Sequence, residues 1–448
     1  MRELFQTDGI RGKANTWPMT PEIAMKLGQA LAIYFGRGES EPRIVIGKDP
    51  RRSSYIFEFA VAAGACSMGA STFQLGPLPT PAIAFLTVSM RAQAGVVISA
   101  SHNPYYDNGI KVFGGDGYKL PDNAEEEIEA IMKDEKALSN RPTGSKLGRA
   151  YRIDDARGRY IAFAKDALAP PLSLKGMKIV VDCANGAAYQ VAPAVLEELG
   201  AVVVELGVYP DGTNINRRCG ALYPEYVARV VKRESAQLGI CLDGDADRVI
   251  LVDEKGNISD GDAIMALVGK SMINQGTLSK NTVVSTIMSN MGLERDLEKV
   301  GGKLVRAQVG DRYVLEMMRQ GGYNFGGEQS GHLIFLDHTT TGDGIVAALQ
   351  VLTCMFEEDK PLSELVAGME RFPQMSAKVQ VKKKPPLEGV PAMQKAMKGA
   401  EERFGRDGRI VVRYSGTEPV LRVMAEGLDE ALVQAVVEEL AETARTAL

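Results

Sequence analysis

The sequence has few of the residues on which several classes of protein depend. Of its 448 residues, five are cysteine, three are histidine and one is tryptophan. No two cysteines have the spacing of a zinc site or of a redox pair, which argues against a disulfide scaffold and a cysteine-based metal centre. We therefore expect the five cysteines to be buried as small apolar residues.

Long apolar runs and an excess of positive charge are also missing. No stretch approaches the roughly 18 apolar residues that cross a bilayer, and the first residues lack the apolar core of a signal peptide. The formal net charge is -5, and the basic run 382–384 precedes two prolines and is predicted to be a solvated linker. We expect a cytoplasmic protein that binds neither nucleic acid nor membranes.

What is present is a pattern that occurs three times. Residues 43–75, 178–206 and 282–307 each contain an apolar strand, a polar loop, a helix, a glycine and a second strand. Each copy is typical of a βαβ unit in a parallel sheet covered by helices. After each copy come a strand, a polar loop and a further strand that is too close for a helical crossover, so we expect that strand to pair antiparallel.

These repeats predict an α/β protein with three related domains, whose mixed sheets lie between helices. The remainder differs, because a strand, a helix, two strands and a helix indicate a small α+β domain with an antiparallel sheet. The predicted domains are residues 1–150, 151–256, 257–371 and 372–448. Thr20 and Asp260 are predicted to cap helices of the first and third domains, and residues 124–137 are predicted to form one acidic helix.

Ser101 follows the apolar run 95–98, with His102 and Lys111 close by in the sequence. Open α/β sheets place their chemistry at the carboxyl ends of strands. A serine there can carry a phosphoryl group. The alternative is a turn rich in Ser and Asn that caps a helix.

Three aspartates, Asp243, Asp245 and Asp247, alternate with two small residues. Alternation in an extended segment turns the three carboxylates to one side. Clustered carboxylates repel each other unless a hard cation lies among them, and Mg²⁺ fits a site with few protein oxygens. The alternative is a solvated acidic turn.

Two further loops carry groups that suit a sugar phosphate. Glu328, Ser330 and His332 offer hydrogen-bond donors and acceptors of the kind that sugar hydroxyls need. Residues 413–422 combine arginines, hydroxyls and a glycine in the manner of a phosphate-binding loop. The alternatives are a strand-joining turn with incidental polar residues and a hairpin with surface arginines.

At the amino terminus, Arg11 lies on a glycine-flanked loop from which it can reach a phosphoryl group in transfer. A candidate phosphoserine, a Mg²⁺ site, a sugar-binding loop and a separate phosphate-binding loop together indicate phosphoryl transfer on a sugar phosphate. Such chemistry depends on positioning and on neutralising charge.

Four motifs, at residues 99–104, 243–248, 327–332 and 413–419, resemble the signature loops of the α-D-phosphohexomutase family. They occur in that family's order and at comparable spacing, and the resemblance covers essentially the whole chain. It implies a four-domain enzyme with a central cleft and a last domain like the TATA-binding protein.

The resemblance also implies roles for individual residues. Ser101 would carry the phosphoryl group and join the three aspartates in binding Mg²⁺. Arg248 would lie beside them. Lys111 and Arg11 would take part in proton transfer and balance charge at the reacting phosphate, and His102 would be a further catalytic residue. Glu328, Ser330 and His332 would bind the sugar. The distal phosphate would be bound by Arg413, Ser415, Gly416, Thr417 and Arg422.

Further marks, at residues 5–12, 105–108 and 214–216 and at Gln329, resemble the members that act on glucosamine phosphates. The implied reaction interconverts glucosamine 6-phosphate and glucosamine 1-phosphate, with glucosamine 1,6-bisphosphate as intermediate and activator. Its product would supply UDP-N-acetylglucosamine synthesis. The expected partners are small sugar phosphates, and a homodimer is left open.

Three alternatives remain on the sequence alone. The first is a sister mutase that acts on glucose or mannose phosphates. The second is a metal-dependent sugar phosphatase, although a phosphatase has no need of a second phosphate-binding loop. The third is a non-catalytic sensor of sugar phosphates.

Overall fold

The computed structural model describes residues 3–5, 8–37, 41–168, 171–415 and 419–448. Their strands form four sheets, each built from one consecutive stretch of the chain. Three sheets are mixed and flanked by helices, and the fourth is antiparallel, which confirms the predicted fold class. The division near residues 150, 256 and 371 stays a prediction.

The first sheet has six strands and contains the Ser101 motif. Its elements are β1 (Ile10–Lys13), α1 (Pro21–Phe35), β2 (Arg43–Lys48), α2 (Arg52–Ser67), β3 (Ser71–Pro77), α3 (Thr80–Ser89), β4 (Ala94–Ile98), β5 (Asp107–Gly114), α4 (Asp122–Lys133), α5 (Glu135–Ser139) and β6 (Ala150–Arg152). The strand order is β1-β5-β4-β2-β3-β6. β2, β3, β4 and β6 run parallel, whereas β5 returns antiparallel to β4 as predicted. The loop between β4 and β5 therefore lies at the carboxyl end of the parallel strands.

The predicted acidic helix over 124–137 is wrong in one respect, because the structure divides it. α4 ends at Lys133, and the Asp134 carboxylate accepts from the amides of Lys136 (3.0 Å) and Ala137 (3.1 Å) to begin α5. Aspartate satisfies the free amides of a helix start better than it serves in a helix interior. Local capping therefore interrupts a continuous acidic stretch.

The second sheet has five strands and repeats this plan. Its elements are α6 (Ala156–Lys165), β7 (Lys178–Asp182), α7 (Val191–Glu198), β8 (Val202–Leu206), α8 (Pro224–Glu234), β9 (Leu238–Leu242), β10 (Val249–Asp253) and β11 (Ile258–Ser259). The order is β11-β10-β9-β7-β8, with β10 antiparallel to β9. The three aspartates occupy the loop between β9 and β10.

The third sheet has four strands in the order β13-β12-β14-β15. Its elements are α9 (Gly261–Asn274), β12 (Thr282–Thr286), α10 (Met291–Glu298), β13 (Lys303–Ala307), α11 (Asp311–Gly321), β14 (Phe325–Gly327), β15 (Leu333–Phe335), α12 (Gly344–Glu358) and α13 (Leu362–Leu365). β15 runs antiparallel to β14, which confirms the third predicted return strand. The Glu328 motif joins these two strands.

The C-terminal unit is a three-stranded antiparallel sheet in the order β16-β18-β17. Its elements are β16 (Gln374–Gln380), α14 (Pro391–Phe404), β17 (Gly408–Tyr414), β18 (Val420–Gly427) and α15 (Glu430–Ala447). Its apolar core, in which Met393, Leu421 and Leu440 are buried, is separate from the large core that runs through the first three units. The phosphate-binding motif joins β17 to β18.

Four of the five cysteines are buried as predicted, and Cys66 is half-buried. Burial raises the pKa of the Cys183 and Cys241 thiols well above the ordinary value, so both stay protonated and act as apolar residues. Among the described residues, no helix is both long and apolar enough to cross a membrane.

Candidate active site

Ser101 lies just past the end of β4, on the loop of residues 99–106, here called the Ser101 loop. Its φ is +49°, in the left-handed region that a residue with a side chain enters at a cost of about 1–3 kcal/mol. The Ser101 amide donates to Ser99 Oγ (2.9 Å), and the Ser101 hydroxyl donates to Asp243 Oδ2 (2.6 Å). This backbone conformation therefore brings the hydroxyl against the second domain's carboxylates.

The Ser101 loop is held by Arg51, which no sequence motif singled out. Arg51 is fully buried, and its Nε donates to Asp49 Oδ2 (2.8 Å). Its terminal nitrogens donate to the carbonyl oxygens of Ser101 (2.9 Å), Asn103 (2.9 Å) and Pro104 (2.6 Å). Because a guanidinium offers five donors in a fixed plane, one side chain fixes three carbonyls of the loop.

A second contact to the same loop comes from the second domain. The Asn216 side-chain amide donates to the carbonyl oxygens of Ser101 (2.8 Å) and Asn103 (3.1 Å). In the sequence, residues 214–216 are only a mark of resemblance, with no role predicted for Asn216. The structure shows that Asn216 ties the Ser101 loop to the domain that carries the three aspartates.

The three aspartates lie together on the loop of residues 243–248, here called the Asp243 loop. One oxygen from each of Asp243, Asp245 and Asp247 lies within 4.8 Å of the others, and all three side chains are buried. Among the described residues, Asp245 Oδ1 and Asp247 Oδ1 have no hydrogen-bond partner. Burial, with the charges of Asp247 and Asp245, raises the pKa of Asp243 well above its ordinary value. These buried anionic oxygens fit a divalent cation that takes few protein ligands.

Lys111 lies against the same carboxylates. Its Nζ is 3.1 Å from Asp245 Oδ2, 3.4 Å from Asp247 Oδ2 and 3.6 Å from Asp8 Oδ2, and the side chain is buried. Burial alone would lower the pKa of Lys111, but the three carboxylates raise it above its ordinary value. Lys111 is therefore a fixed positive charge beside the Asp243 loop, which accepts the hydrogen bond of the Ser101 hydroxyl.

A chain of ion pairs extends from Lys111 to the third domain. Asp8 pairs with Arg11 and with Lys119, and Lys119 also pairs with Asp311 at the start of α11. Burial raises the pKa of Asp8, but Lys111, Lys119 and Arg11 outweigh it and hold the pKa well below the ordinary value. The network joins the amino-terminal loop to α11, and its members Asp8, Lys119 and Asp311 were not among the predicted site residues.

His102 lies beside the Ser101 hydroxyl, and Arg248 contacts the carboxylates of the Asp243 loop. The His102 Nδ1 lies 3.4 Å from Ser101 Oγ, and burial together with the charge of Arg248 lowers the pKa of His102 to about 4. The Arg248 amide donates to Asp243 Oδ1 (3.2 Å), and its Nε lies 3.8 Å from Asp247 Oδ1. His102 is therefore a neutral ring near pH 7, whereas Arg248 brings a positive charge to the cavity.

The Glu328 loop, residues 327–332, is organised around its carboxylate. Glu328 Oε1 accepts from the Gly310 amide (3.0 Å), and Oε2 accepts from Ser330 Oγ (3.4 Å). The two groups predicted to bind sugar hydroxyls therefore contact each other and the residue that precedes α11.

His332 differs from the other residues of this loop because it is buried against protein groups. Its Nδ1 lies 3.6 Å from Asp247 Oδ2, and its Nε2 accepts from the Gly342 amide (3.2 Å). The ring thus connects the Glu328 loop to the Asp243 loop.

These loops meet at one cavity of about 310 Å³. Its lining comes from the first three domains and comprises Asp8, Arg11, Ser101, Asp247, Arg248, Val309, Gly310, Asp311, Glu328 and His332. Two arginines in this lining can bind an anionic group, and the carboxylates can accept hydrogen bonds from hydroxyl groups of a polar ligand.

The phosphate-binding motif brings two like charges together. Arg413 on β17 pairs in register with Arg422 on β18, and burial together with Arg422 lowers the pKa of Arg413. Like charges directly opposite each other are unfavourable unless an anion lies between them. Lys384 Nζ donates to the Ser415 carbonyl oxygen (2.6 Å), so the basic run predicted as a solvated linker reaches this loop. Gly416 and Thr417 lie outside the described residues.

Family models for the four domains of phosphoglucomutase/phosphomannomutase match the chain in order. They cover residues 2–139 (alpha/beta/alpha domain I), 159–256 (domain II), 260–372 (domain III) and 377–443 (the C-terminal domain). The chain belongs to the phosphoglucomutase/phosphomannomutase family.

Relatives with high identity share one more specific name. A phosphoglucosamine mutase of Anaeromyxobacter sp. (strain Fw109-5) is 57% identical over 100% of this chain and 96% of its own length. A phosphoglucosamine mutase of Myxococcus xanthus is 56% identical over 100% of this chain and 98% of its own length.

Solved structures show the same fold at low identity. A phosphoglucomutase/phosphomannomutase family protein from Burkholderia thailandensis has a TM-score of 0.82 and 23% identity, covering 99% of this chain and 97% of that chain. An Aspergillus fumigatus N-acetylphosphoglucosamine mutase, in complex with GlcNAc-6P and magnesium, has a TM-score of 0.70 and 17% identity over 99% and 96%.

Proposed function

We propose that this chain acts as a phosphoglucosamine mutase, which interconverts glucosamine 6-phosphate and glucosamine 1-phosphate. The observation that carries the proposal is the hydrogen bond from the Ser101 hydroxyl to Asp243, one of three clustered buried carboxylates. This contact supports a phosphoryl carrier beside a cation site, in a chain whose named relatives are phosphoglucosamine mutases. The product would supply UDP-N-acetylglucosamine synthesis.

The proposed reaction consists of two transfers. The 1-hydroxyl oxygen of glucosamine 6-phosphate attacks the phosphorus of phosphorylated Ser101, and the bond from phosphorus to Ser101 Oγ breaks. The products are glucosamine 1,6-bisphosphate and a Ser101 hydroxyl. After the bisphosphate reorients in the cleft, Ser101 Oγ attacks the phosphorus of the 6-phosphate and the bond from that phosphorus to the sugar oxygen O6 breaks. O6 gains the proton that the Ser101 hydroxyl loses, and glucosamine 1-phosphate leaves.

The chain's own residues position these groups and handle charge and protons. Lys111, Arg11 and Arg248 provide fixed positive charge around the phosphoryl group. His332 lines the cavity, where burial would lower the pKa of its ring but the hydrogen bond and charge of Asp247 outweigh burial and raise that pKa above its ordinary value. The proton that the attacking hydroxyl loses is balanced by the proton that the Ser101 oxygen gains. The Ser101 oxygen ends as the protonated hydroxyl that donates to Asp243.

Mg²⁺ is the proposed cation. Asp243, Asp245 and Asp247 would hold it together with an oxygen of the Ser101 phosphate. When bound, it would neutralise charge on the phosphoryl group during transfer. The proposal rests on the buried carboxylate oxygens that lack donors among the described residues.

Arg51→Lys is expected to lower both stability and turnover. Lysine cannot reproduce the planar contacts to three carbonyls, and a displacement of about 1 Å in a catalytic group costs about 10²-fold in rate. Thermal unfolding and kcat for glucosamine 6-phosphate measure the two effects. Arg52→Lys is the matched control, because Arg52 is the exposed neighbour and its loss should cost less than about 0.5 kcal/mol. A less stable variant with wild-type kcat would limit Arg51 to a role in folding.

The non-reacting phosphate of the substrate is proposed to bind Arg413, Ser415, Gly416, Thr417 and Arg422. The in-register arginine pair supports this role for Arg413 and Arg422. Neither transfer needs this site to distinguish the 1-phosphate from the 6-phosphate, since each is held there while the other reacts.

Arg413→Gln is expected to raise KM for glucosamine 6-phosphate about tenfold or more and to lower kcat less. The variant loses a hydrogen bond to a charged group, which is worth about 1.5–3 kcal/mol. Steady-state kinetics measures the change, and Arg403→Gln on the helix α14 of the same unit serves as the control. An unchanged KM would remove Arg413 from the phosphate site.

The function is tested by offering the purified protein Mg²⁺ with glucosamine 6-phosphate, glucose 6-phosphate or mannose 6-phosphate. We expect the 1-phosphate of glucosamine to form with the highest kcat/KM, without release of inorganic phosphate. A higher kcat/KM for a neutral hexose phosphate would assign the chain to a sister activity. Stoichiometric release of inorganic phosphate would identify a phosphatase.

A further inference from the structure

We propose that Asp311 is the residue that selects an amino sugar, by accepting a charged hydrogen bond from the ammonium group at C2 of the substrate. This inference rests on the proposed function, because it concerns the same cavity and the same substrate. Glucosamine phosphates differ from glucose phosphates at C2, where a cationic ammonium replaces a neutral hydroxyl. A site that selects the ammonium needs a carboxylate at that position.

Four carboxylates line the cavity, and three of them have other partners or roles. Asp247 belongs to the proposed cation site. Asp8 is surrounded by Arg11, Lys111 and Lys119, so its charge is already neutralised.

Glu328 is the third carboxylate, and both of its oxygens already accept from protein groups, Oε1 from the Gly310 amide (3.0 Å) and Oε2 from Ser330 Oγ (3.4 Å). Asp311 is therefore the remaining candidate for a selective contact among the carboxylates of the cavity.

The backbone places Asp311 beside the proposed sugar-binding groups. Gly310 has a φ of +132°, which favours glycine, and its amide donates to Glu328 Oε1 (3.0 Å). The turn thereby joins the residue before Asp311 to the carboxylate assigned to sugar hydroxyls. Asp311 also borders a second cavity of about 650 Å³ between residues 118–122 and α11, so space adjoins it on both sides.

The Asp311 carboxylate is held in place, and although burial would raise its pKa, the charge of Lys119 outweighs burial and holds that pKa below its ordinary value. Its Oδ1 accepts from the Arg312 amide (2.8 Å), and its Oδ2 pairs with Lys119 and lies 3.7 Å from His332 Nε2. Its side chain remains 19% exposed, whereas Lys119 beneath it is 12% exposed. One cation therefore orients Asp311, whose partly exposed side chain lines the cavity.

The competing explanation is that the Lys119–Asp311 pair only fastens the first domain to the third. The two explanations predict different results for Asp311→Asn and Lys119→Met. Both variants break the ion pair, but only Asp311→Asn removes the negative charge from the cavity. The quantity to compare is selectivity within one preparation, which does not depend on the fraction of active protein.

The experiment measures KM and kcat for glucosamine 6-phosphate, and measures glucose 6-phosphate as a substrate and as a competing inhibitor of that reaction. For Asp311→Asn we expect the ratio of affinity for glucosamine 6-phosphate to that for glucose 6-phosphate to fall about 10- to 100-fold. For Lys119→Met we expect the same ratio to stay within about threefold of wild type, whatever the change in rate.

An unchanged ratio in Asp311→Asn would overturn the inference, as would an equal fall of the ratio in both variants. Failure of the proposed function has a different signature. In that case the wild-type protein itself would not convert glucosamine 6-phosphate, or would release inorganic phosphate.

Discussion

Ser101→Ala is expected to lower kcat for glucosamine 6-phosphate by about 10⁴-fold or more, the scale on which loss of a covalent nucleophile acts. The methyl group can neither accept a phosphoryl group nor donate to Asp243, as the hydroxyl does at 2.6 Å. The proposed pathway has no second carrier, so both transfers stop together. Coupled assay of glucosamine 1-phosphate measures the loss, and intact mass shows whether a phosphoryl group is present.

The matched control is Ser99→Ala, in the same loop. Ser99 Oγ accepts from the Ser101 amide and donates to Asp49 Oδ2 (2.7 Å), so the variant loosens the loop and keeps the carrier. We expect it to turn over more slowly than wild type and still to carry a phosphoryl group. If Ser101→Ala isomerises glucosamine 6-phosphate at a comparable rate, the carrier is a different residue.

Removal of divalent cations is expected to abolish activity reversibly, by at least about 10³-fold, because a cation at the reacting phosphoryl group supplies several kcal/mol. Without it, three buried carboxylates repel each other within 4.8 Å. Dialysis against a chelator followed by return of Mg²⁺ tests activity. The midpoint temperature of thermal unfolding should rise with added Mg²⁺. An ion that binds only the folded state stabilises that state by about 2.7 kcal/mol when its concentration is a hundred times its Kd.

Asp245→Asn tests the same site without a chelator. It should raise the Mg²⁺ concentration needed for half-maximal activity, because it removes one anionic ligand. Asp253→Asn is the matched control, since Asp253 is a buried aspartate at the far end of β10 that accepts from the amides of Lys255 (2.9 Å) and Asn257 (2.8 Å). Activity of the wild type that survives complete removal of divalent cations would contradict the assignment of the Asp243 loop.

Much of the fold could be predicted because its determinants are local. Thr20 and Asp260 accept the amides of Ile23 and Ala263 at the starts of α1 and α9, as their sequence positions predict. The return strands are antiparallel because their connecting loops are too short for a crossover. A single helix over the acidic stretch requires Asp134 in its interior. Aspartate prefers the capping position at a helix start, so the stretch forms two helices instead.

The site could be predicted only where it follows the chain. Ser101 and the three aspartates each directly follow an apolar strand, and strand ends are where α/β sheets place functional loops. Their position in the chain therefore identifies them as candidate site residues. Lys119 and Asp311 form their ion pair across 192 positions, and no spacing indicates it. The sequence predicts that Arg51 lies in a solvated loop, because arginine is seldom fully buried. Its burial depends on backbone carbonyl groups that only the folded structure brings to it.

The most direct test of the proposed phosphoserine mechanism is a single turnover with enzyme that carries labelled phosphate on Ser101. The phosphoenzyme is mixed with unlabelled glucosamine 6-phosphate, and the label is followed on protein, sugar phosphates and inorganic phosphate. We predict that the label leaves the protein and is found first in glucosamine 1,6-bisphosphate and then in glucosamine monophosphates. Label that stays on the protein while glucosamine 1-phosphate forms, or label released as inorganic phosphate, would contradict transfer of the phosphoryl group from Ser101 to the sugar.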